Sequence, residues 1–163
     1  MPLPRAAHYF YHQQYSKIRL YMSFNVSSTV YPDHVRVDAT GDCSLPQVFE
    51  FIENVKNLVV EAGRRHVLID IRGVKGSPSD TDLFYAGKQV ADVFGSRFKI
   101  AIVHPSQRIT SLGQMAAVNR GARVVVVPTE DEAFEWLLAG NPNDIHGSVI
   151  PAFADDKHND SSF

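Results

Sequence analysis

The sequence predicts a single α/β domain with a mostly parallel sheet and the element order ββαβαβαβα. Continuous apolar runs at residues 67–71, 100–103 and 124–127 are typical of strands that are covered on both faces. Stretches with apolar residues at intervals of three and four separate these runs, which indicates amphipathic helices. An alternating region before the first helix predicts an antiparallel hairpin. Strands that alternate with helices require crossover connections, and crossovers produce a parallel sheet.

Composition narrows the class of protein. The chain has 163 residues, 44% hydrophobic and 21% charged, with a net charge of -2, as expected for one globular domain. No basic block indicates nucleic acid as a partner, and no apolar run reaches the roughly 20 residues that a membrane-spanning helix needs. The single cysteine, Cys43, and an N-terminus without an apolar signal core predict a cytoplasmic protein. No cofactor is expected.

The first 22 residues are expected to be an extension that precedes a domain over residues 23–140. They are rich in tyrosine, histidine and glutamine, and two interpretations stay open. They are either a leader that precedes a start at Met22, or an arm that binds a partner. His8 and His12 would share one face of a helix, but without a third ligand nearby they predict no metal site.

The hairpin and the first helix follow. Apolar residues alternate from the extension into the domain, at Ile18, Leu20, Met22, Phe24, Val26 and Val30. Residues 31–34 form a turn, and the alternation resumes at residues 35–39. Ser44 and Gln47 have the spacing of a capping box, and Gly63 ends the helix that begins there.

The central unit is a strand, a loop and a helix. The strand is followed by Gly73, Gly76 and Pro78, which are expected to break the chain. Ser79 or Asp80 then caps a helix. The apolar positions of this helix are Leu83, Phe84, Gly87, Val90, Ala91 and Phe94. Ligands and partners of open α/β sheets usually meet the protein at such loops, at the carboxyl ends of the strands.

Two further helices complete the pattern. The first covers about residues 109–119, with Ile109, Leu112, Met115 and Ala116 directed inward. The second begins at the Thr129–Glu132 capping box and carries Trp136 on its apolar face. Residues 141–163 are mostly polar and are expected to form a mobile tail.

Sequence motifs for catalysis are missing. Residues 73–77 resemble a phosphate loop only briefly, because they lack the GxxxxGK[ST] spacing. The chain contains neither GxGxxG after the first strand nor a GxSxG elbow. Asp70 is assigned a structural role inside a strand, and Asp80 and Asp82 suit the positive end of a helix dipole. No catalytic residue, no metal site and no enzymatic activity are predicted.

Several short motifs, taken in order, are similar to those of a known family. They are Val67-Leu-Ile-Asp70 followed by Gly73-Val74, then Ile100-Ala-Ile-Val103, Gly121-Ala-Arg-Val-Val125, Asp131-Glu-Ala133 and Trp136-Leu137. Together they span about residues 23–140. In this respect the chain resembles a STAS domain, the fold of the bacterial anti-sigma factor antagonists. It is similar to the small antagonist-like proteins that are grouped with the CRAL-TRIO lipid-binding fold.

The resemblance implies a regulatory protein without catalysis. Typical antagonists carry a serine at the start of the helix after the central strand, within Asp-Ser-Ser-Gly, and a partner kinase phosphorylates it. This chain has Ser77-Pro-Ser-Asp-Thr81 instead. Ser79 lies nearest the switch position and Asp80 would mimic a permanent negative charge. The alternative, which the residues favour, is that Ser79 is only the N-cap.

Two functions follow as expectations. The first is binding of a protein, such as an anti-sigma factor or a kinase-like regulator, with the His104–Arg108 loop as an additional contact. The loop residues proposed for this contact or for phosphorylation are Gly73, Lys75, Ser77, Ser79, Asp80 and Thr81. The second is a carrier or sensor of a small apolar ligand such as a lipid. Its pocket would be formed by Phe84, Phe94, Phe98 and Met115. A homodimer stays open as a further alternative.

Overall fold

The computed structural model describes residues 24–105 and 107–140, with the side chains of 107–110 left out. The strands are β1 Asn25–Val30, β2 Val35–Asp42, β3 His66–Lys75, β4 Lys99–Val103 and β5 Arg123–Val127. The helices are α1 Leu45–Glu61, α2 Asp80–Phe94, α3 Gln107–Val118 and α4 Glu130–Leu138. The predicted extension 1–22, its alternating positions Ile18, Leu20 and Met22, and the tail 141–163 lie outside the described residues.

The sheet confirms the predicted topology. Its strands lie in the order β1-β2-β3-β4-β5, so each strand pairs with its neighbours in sequence. β1 and β2 are antiparallel, and the other three pairs are parallel. Each of α1, α2 and α3 therefore connects two adjacent parallel strands, and crossovers of one hand place all three helices on one face of the sheet.

The two faces of the sheet carry separate apolar cores. On the first face, α1, α2 and α3 pack against alternate strand residues, including Val67, Ile69 and Ile100. On the second face, Ala133 and Leu137 of α4 pack against Leu68, Ala101 and Val103. Strands covered by helices on both faces need apolar residues at every position. The continuous apolar runs in the sequence arise for this reason.

β3 is longer than the sequence indicates. It continues through Gly73 to Lys75, because a register shift in β2 between Asp38 and Thr40 lets the two strands pair again at Thr40 and Gly73. A Cβ at Gly73 would lie 2.5 Å from Cγ2 of Thr40, so a residue without a side chain suits this position. Gly73 and Lys75, expected in a loop, are thus strand residues, and the loop itself is residues 76–79.

The faces of α2 and α3 also differ from expectation. Phe84, Leu112 and Met115, predicted to point inward, are 43%, 36% and 58% exposed. Among residues 111–118 of α3, the buried positions are the small residues Ala116 and Ala117. α3 lies so close to α2 that large side chains have no room between the two helices, so Phe84, Leu112 and Met115 face outward, while Leu83 and Phe94 of α2 pack inward.

Lys99 fixes the end of α4 under the sheet. This residue is 6% exposed, and its Nζ donates to the carbonyl oxygens of Leu137 at 3.2 Å and Ala139 at 2.7 Å. The last carbonyls of a helix lack partners within the helix and carry its negative pole, so a lysine satisfies and stabilises them. The Trp136 ring lies 4.7 Å from the same Nζ and is half-buried rather than part of the core.

Candidate functional site

The candidate site lies at the carboxyl edge of the parallel strands. The turn between β3 and α2, residues 76–79, lies there and is called the rim loop below. Gly76, Ser77 and Ser79 are exposed, Pro78 is half-buried, and Asp80 and Thr81 at the start of α2 are exposed as well. Gly76 has a φ of 112°, a left-handed conformation that glycine adopts without strain.

Ser79 is the N-cap of α2. Its Oγ accepts a hydrogen bond from the backbone N–H of Asp82 at 3.1 Å, and Oδ2 of Asp82 accepts one from the N–H of Ser79 at 3.1 Å. This reciprocal capping box satisfies two N–H groups at the start of the helix. Asp80 and Asp82 place two carboxylates in the first turn, where the helix dipole favours negative charge. The geometry confirms the capping role that the sequence predicted.

A cavity of about 550 Å³ lies beneath the rim loop, between the sheet and α1–α3. Its walls are mainly apolar, and they include Val48, Ile52, Ile71, Val74, Val90 and Phe94. Polar groups are concentrated at the mouth, among them Cys43, Lys75, Ser77, Asp82 and His104. A volume of this size with apolar walls and few polar groups is typical of small-molecule sites.

The four residues predicted to form a pocket are not together. Only Phe94 lines the cavity. Phe98 lies at the opposite edge of the sheet, where its ring is 4.1 Å from Nζ of Lys56. Phe84 and Met115 point to solvent for the reason given above. The prediction is corrected accordingly: the apolar walls come mainly from aliphatic residues of the sheet and of α1, which the sequence marked only as core.

Phe84 and Tyr85 form an exposed aromatic pair beside the rim loop. Their rings are 5.6 Å apart and nearly perpendicular, and their exposed fractions are 43% and 48%. The guanidinium of Arg120, after α3, lies 4.9 Å from the Phe84 ring. The rim loop, the first turn of α2 and this pair make one continuous surface, called the rim surface below.

The other face of the sheet carries a charge cluster that sequence reasoning missed. Nη2 of Arg36 lies 2.7 Å from Oε1 of Glu130 and 2.8 Å from Oδ1 of Asp38. Nη2 of Arg72 lies 2.5 Å from Oδ2 of Asp70 and 2.9 Å from Oε1 of Glu130. The cluster therefore joins β2 and β3 to the first residue of α4.

Hydrogen bonds within the cluster shift the pKa values of its members. The hydrogen bond from the Arg72 side chain lowers the pKa of Asp70, although burial acts in the opposite direction. The hydrogen bond from Arg36 lowers the pKa of Glu130 in the same way, and Glu130 with Asp38 raises the pKa of Arg36. All five charges are paired, so the arrangement fits a structural link rather than acid–base chemistry.

Other titratable groups lie at the mouth of the cavity. Burial lowers the pKa of His104 and raises the pKa of the Cys43 thiol, so both favour their neutral forms. Among residues 24–105 and 111–140, no three His, Cys, Asp or Glu side chains are grouped to hold a metal ion. In the same part of the chain, no helix has the length and apolar character to span a membrane.

The fold and the position of the rim loop define a STAS-like α/β domain. No family model and no curated protein matches the sequence. Among solved structures, the chain is similar to an anti-sigma factor antagonist from Mycobacterium paratuberculosis, with a TM-score of 0.50 and 14% identity, over 74% of this chain and 98% of that one. This similarity establishes the fold.

Two other solved structures are similar to a lower degree. A protein from Shewanella loihica with a SpoIIAA-like fold has a TM-score of 0.46 and 16% identity, over 75% of this chain and 97% of that one. The unphosphorylated anti-sigma factor antagonist SpoIIAA has a TM-score of 0.42 and 12% identity, over 78% of this chain and 100% of that one.

Proposed function

We propose that this chain is a regulatory module that binds a partner protein through the rim surface and acts by binding rather than by catalysis. The exposed pair of Phe84 and Tyr85 beside the rim loop carries the proposal. Aromatic residues are enriched at the centres of protein interfaces, where they supply much of the binding energy. The fold shared with an anti-sigma factor antagonist supports the same kind of role.

Charges of both signs surround the aromatic pair, because the Arg120 guanidinium lies against the Phe84 ring and two carboxylates lie in the first turn of α2. Asp80 and Asp82 precede Phe84 by four and two residues, so they are available to basic groups of a partner. An apolar contact surrounded by charges that pair with the partner is the usual anatomy of a protein interface. Phosphorylation of Ser79 is not part of the proposal, because its Oγ already caps α2 and two carboxylates lie in the same turn.

The rim surface is tested by replacing Phe84 and Tyr85 together with serine. We expect the double variant to bind the partner roughly 30-fold more weakly, since loss of central aromatic residues costs about 2 kcal/mol or more. The measurement is crosslinking of the intact chain in a lysate of its source cells, followed by an affinity titration with the protein recovered.

Val60→Ser is the matched control for this experiment. Val60 is 55% exposed on α1, so its replacement by serine removes an exposed apolar side chain away from the rim surface. Equal recovery of the same partner by the wild type, the double variant and the control would exclude the rim surface as the interface. An Asp80→Ala variant tests the charge separately, and we expect its binding to become less sensitive to salt.

The cavity favours a second function, binding of a small apolar ligand with one polar end. Its volume of about 550 Å³ and its apolar walls suit an acyl chain or a comparable molecule. Lys75 at the mouth supplies a positive charge for an acidic end group. Because the rim loop forms part of the mouth, a bound ligand would contact the surface proposed for the partner.

Filling the cavity tests the second function. Val48→Trp places a large ring among the walls, and we expect it to weaken binding of a fluorescent fatty acid, cis-parinaric acid, at least tenfold. Val60→Trp adds the same ring on the exposed side of α1 and is expected to bind as the wild type does. Failure of the wild type to bind the probe saturably would remove this function, and circular dichroism checks that both variants are folded.

A further inference from the structure

Exposed apolar residues are concentrated on two neighbouring helices. Of the seven large apolar residues that are exposed in the described part of the chain, five lie on α2 and α3, namely Phe84, Tyr85, Leu112, Met115 and Val118. The two helices lie side by side on one face of the sheet and touch through Gly87 and Gly113. The sequence of residues 109–119 contains no charged residue. Exposed apolar area with few charges is typical of a surface that another molecule covers.

One row of side chains on α2 is complementary to itself in charge. Asp80, Phe84 and Lys88 follow one another at intervals of four residues, so they lie in one row along the helix. All three are exposed. The carboxylate therefore lies one turn before the aromatic ring, and the ammonium group lies one turn after it.

A second copy of α2 fits this row when it lies antiparallel to the first. With a two-fold axis at Phe84, the two rings meet and Asp80 of each copy faces Lys88 of the other. Rows of residues at intervals of four are also the ridges that interdigitate in the commonest class of helix packing. The row thus supplies an apolar centre and two opposite-charge pairs to the same contact.

Other arrangements of the two helices do not give this pairing. A parallel arrangement places Asp80 against Asp80 and Lys88 against Lys88. An antiparallel arrangement with the axis moved by two residues places Asp80 against Asp92. Both bring like charges together, and like charges at an interface select against the wrong partner or register.

The contacts of Phe84 and Lys88 within the chain prepare the row for association. Nη1 of Arg120 donates to the carbonyl oxygen of Ala116 at 2.8 Å, and its guanidinium lies 4.9 Å from the Phe84 ring. Lys88 lies 2.6 Å from Asp92, and its ammonium has three donors, so a second carboxylate is bound without loss of the first. Side chains that are ordered beforehand lose less conformational entropy on binding.

The same two-fold axis places α3 opposite its own copy. Leu112 and Met115 are 36% and 58% exposed on the outer side of α3, next to α2. Methionine is enriched in interfaces and adapts its shape to the surface it meets. Because this stretch of α3 is uncharged, the contact between the two copies of α3 involves no repulsion.

We propose that two copies of this chain associate through antiparallel α2 helices, with Phe84 at the two-fold axis and Asp80 of each copy paired with Lys88 of the other. The interface covers part of the rim surface, so a dimer excludes a partner protein from Phe84 and Tyr85. The dimer does not depend on the proposed function, because its pairing requires only a second copy of the chain.

Sedimentation equilibrium of the purified full-length chain tests the proposal. An interface of two helices from each copy is small, so we expect a reversible dimer with a dissociation constant of the order of 10 μM. Phe84→Ser is expected to weaken the dimer at least tenfold, since it removes the central aromatic ring. Val60→Ser removes an exposed apolar side chain from α1 and is expected to leave the dimer unchanged.

Charge reversal tests the register of the two helices. Asp80→Lys places two lysines opposite each other in each pair, and Lys88→Asp places two aspartates there, so we expect each single variant to be monomeric at concentrations where the wild type is dimeric. The variant with both substitutions restores opposite charges and is expected to dimerise again. Asp131→Lys reverses an exposed charge in the first turn of α4 and is the control, with the wild-type dissociation constant expected.

Several outcomes would overturn the proposal. They are a wild type that stays monomeric well above the expected dissociation constant, a dimer that Phe84→Ser leaves intact, and a double charge variant that stays monomeric while circular dichroism shows it folded. None of these measurements includes a partner protein or a ligand. A monomeric wild type that still binds a partner through Phe84 and Tyr85 would therefore refute the dimer and leave the proposed function standing.

Discussion

Gly87→Ala is expected to lower the free energy of unfolding by about 3 kcal/mol, near the upper end of the cost of overpacking. A Cβ at this position would lie 2.9 Å from Cβ of Ala116 and in direct collision with the carbonyl oxygen of Gly113. That oxygen belongs to the backbone of α3, so it cannot rotate away as a flexible side chain could. α2 and α3 would have to separate, and chemical denaturation monitored by circular dichroism measures the loss.

Gly113→Ala is the matched control for this prediction. It is the same substitution, on the facing helix of the same contact, but its Cβ would meet only the carbonyl oxygen of Leu83, at 3.6 Å. We expect this variant to be unchanged or to gain up to about 1 kcal/mol, the difference in helix propensity between glycine and alanine. A Gly87→Ala variant as stable as the wild type would mean that the two helices are not in close contact.

The order of elements was predictable because each boundary has a local chemical cause. Strands covered on both faces need apolar runs; residues 100–103 and 124–127 are uninterrupted runs, and 67–71 is interrupted only by Asp70. Both predicted capping boxes lie at the starts of helices in the structure, at Ser44 with Gln47 and at Thr129 with Glu132. These signals depend on neighbours within a few residues and do not require knowledge of the tertiary structure.

The faces of α2 and α3 were not predictable in the same way. Apolar periodicity places large residues inside, yet Phe84 and Met115 point outward. The contact between these helices is made by Gly87, Gly113 and Ala116, and small residues allow a closer approach than periodicity can indicate. The error had a functional consequence, because it assigned to a pocket an aromatic residue that belongs to the rim surface.

The position of the candidate site was predictable, but its cavity and the charge cluster on the other face of the sheet were not. Parallel strands bring their carboxyl-end loops to one edge, so the loop after β3 was a sound candidate from the sequence. The cavity below it depends on how far the helices stand from the sheet, which no local pattern encodes. The charge cluster joins Arg36, Asp70 and Glu130, which are far apart in sequence and meet only through the parallel register.

Asp70→Asn is expected to reduce the free energy of unfolding at pH 7 by about 1.5 kcal/mol, because a buried carboxylate loses charge-assisted hydrogen bonds, while the half-exposed Arg72 stays hydrated and paired with Glu130. The Asp70 side chain is 11% exposed and accepts bonds from the side chain and the backbone N–H of Arg72. An asparagine keeps the shape of the side chain, but its amide group presents donors to a guanidinium that also donates. Urea unfolding at neutral pH measures the difference.

The pH dependence of stability tests the same cluster through its charge. The pKa values of Asp70 and Glu130 are lowered in the folded protein, so the unfolded chain binds more protons as the pH falls through the ordinary carboxyl range. Their contribution is present above about pH 4.5 and is lost below it. We therefore expect the stability of the wild type to fall between about pH 5 and pH 3, and that of Asp70→Asn to fall less steeply.

Asp92→Asn is the matched control, because it removes a negative charge outside the cluster. Asp92 pairs with Lys88 at 2.6 Å, but both side chains are about half exposed, at 52% and 46%. Exposed pairs of this spacing contribute about 0.3–0.5 kcal/mol, since water screens the charges. The control should therefore follow the wild-type pH profile closely. If Asp92→Asn and Asp70→Asn flatten that profile equally, the cluster is not the origin of the acid sensitivity.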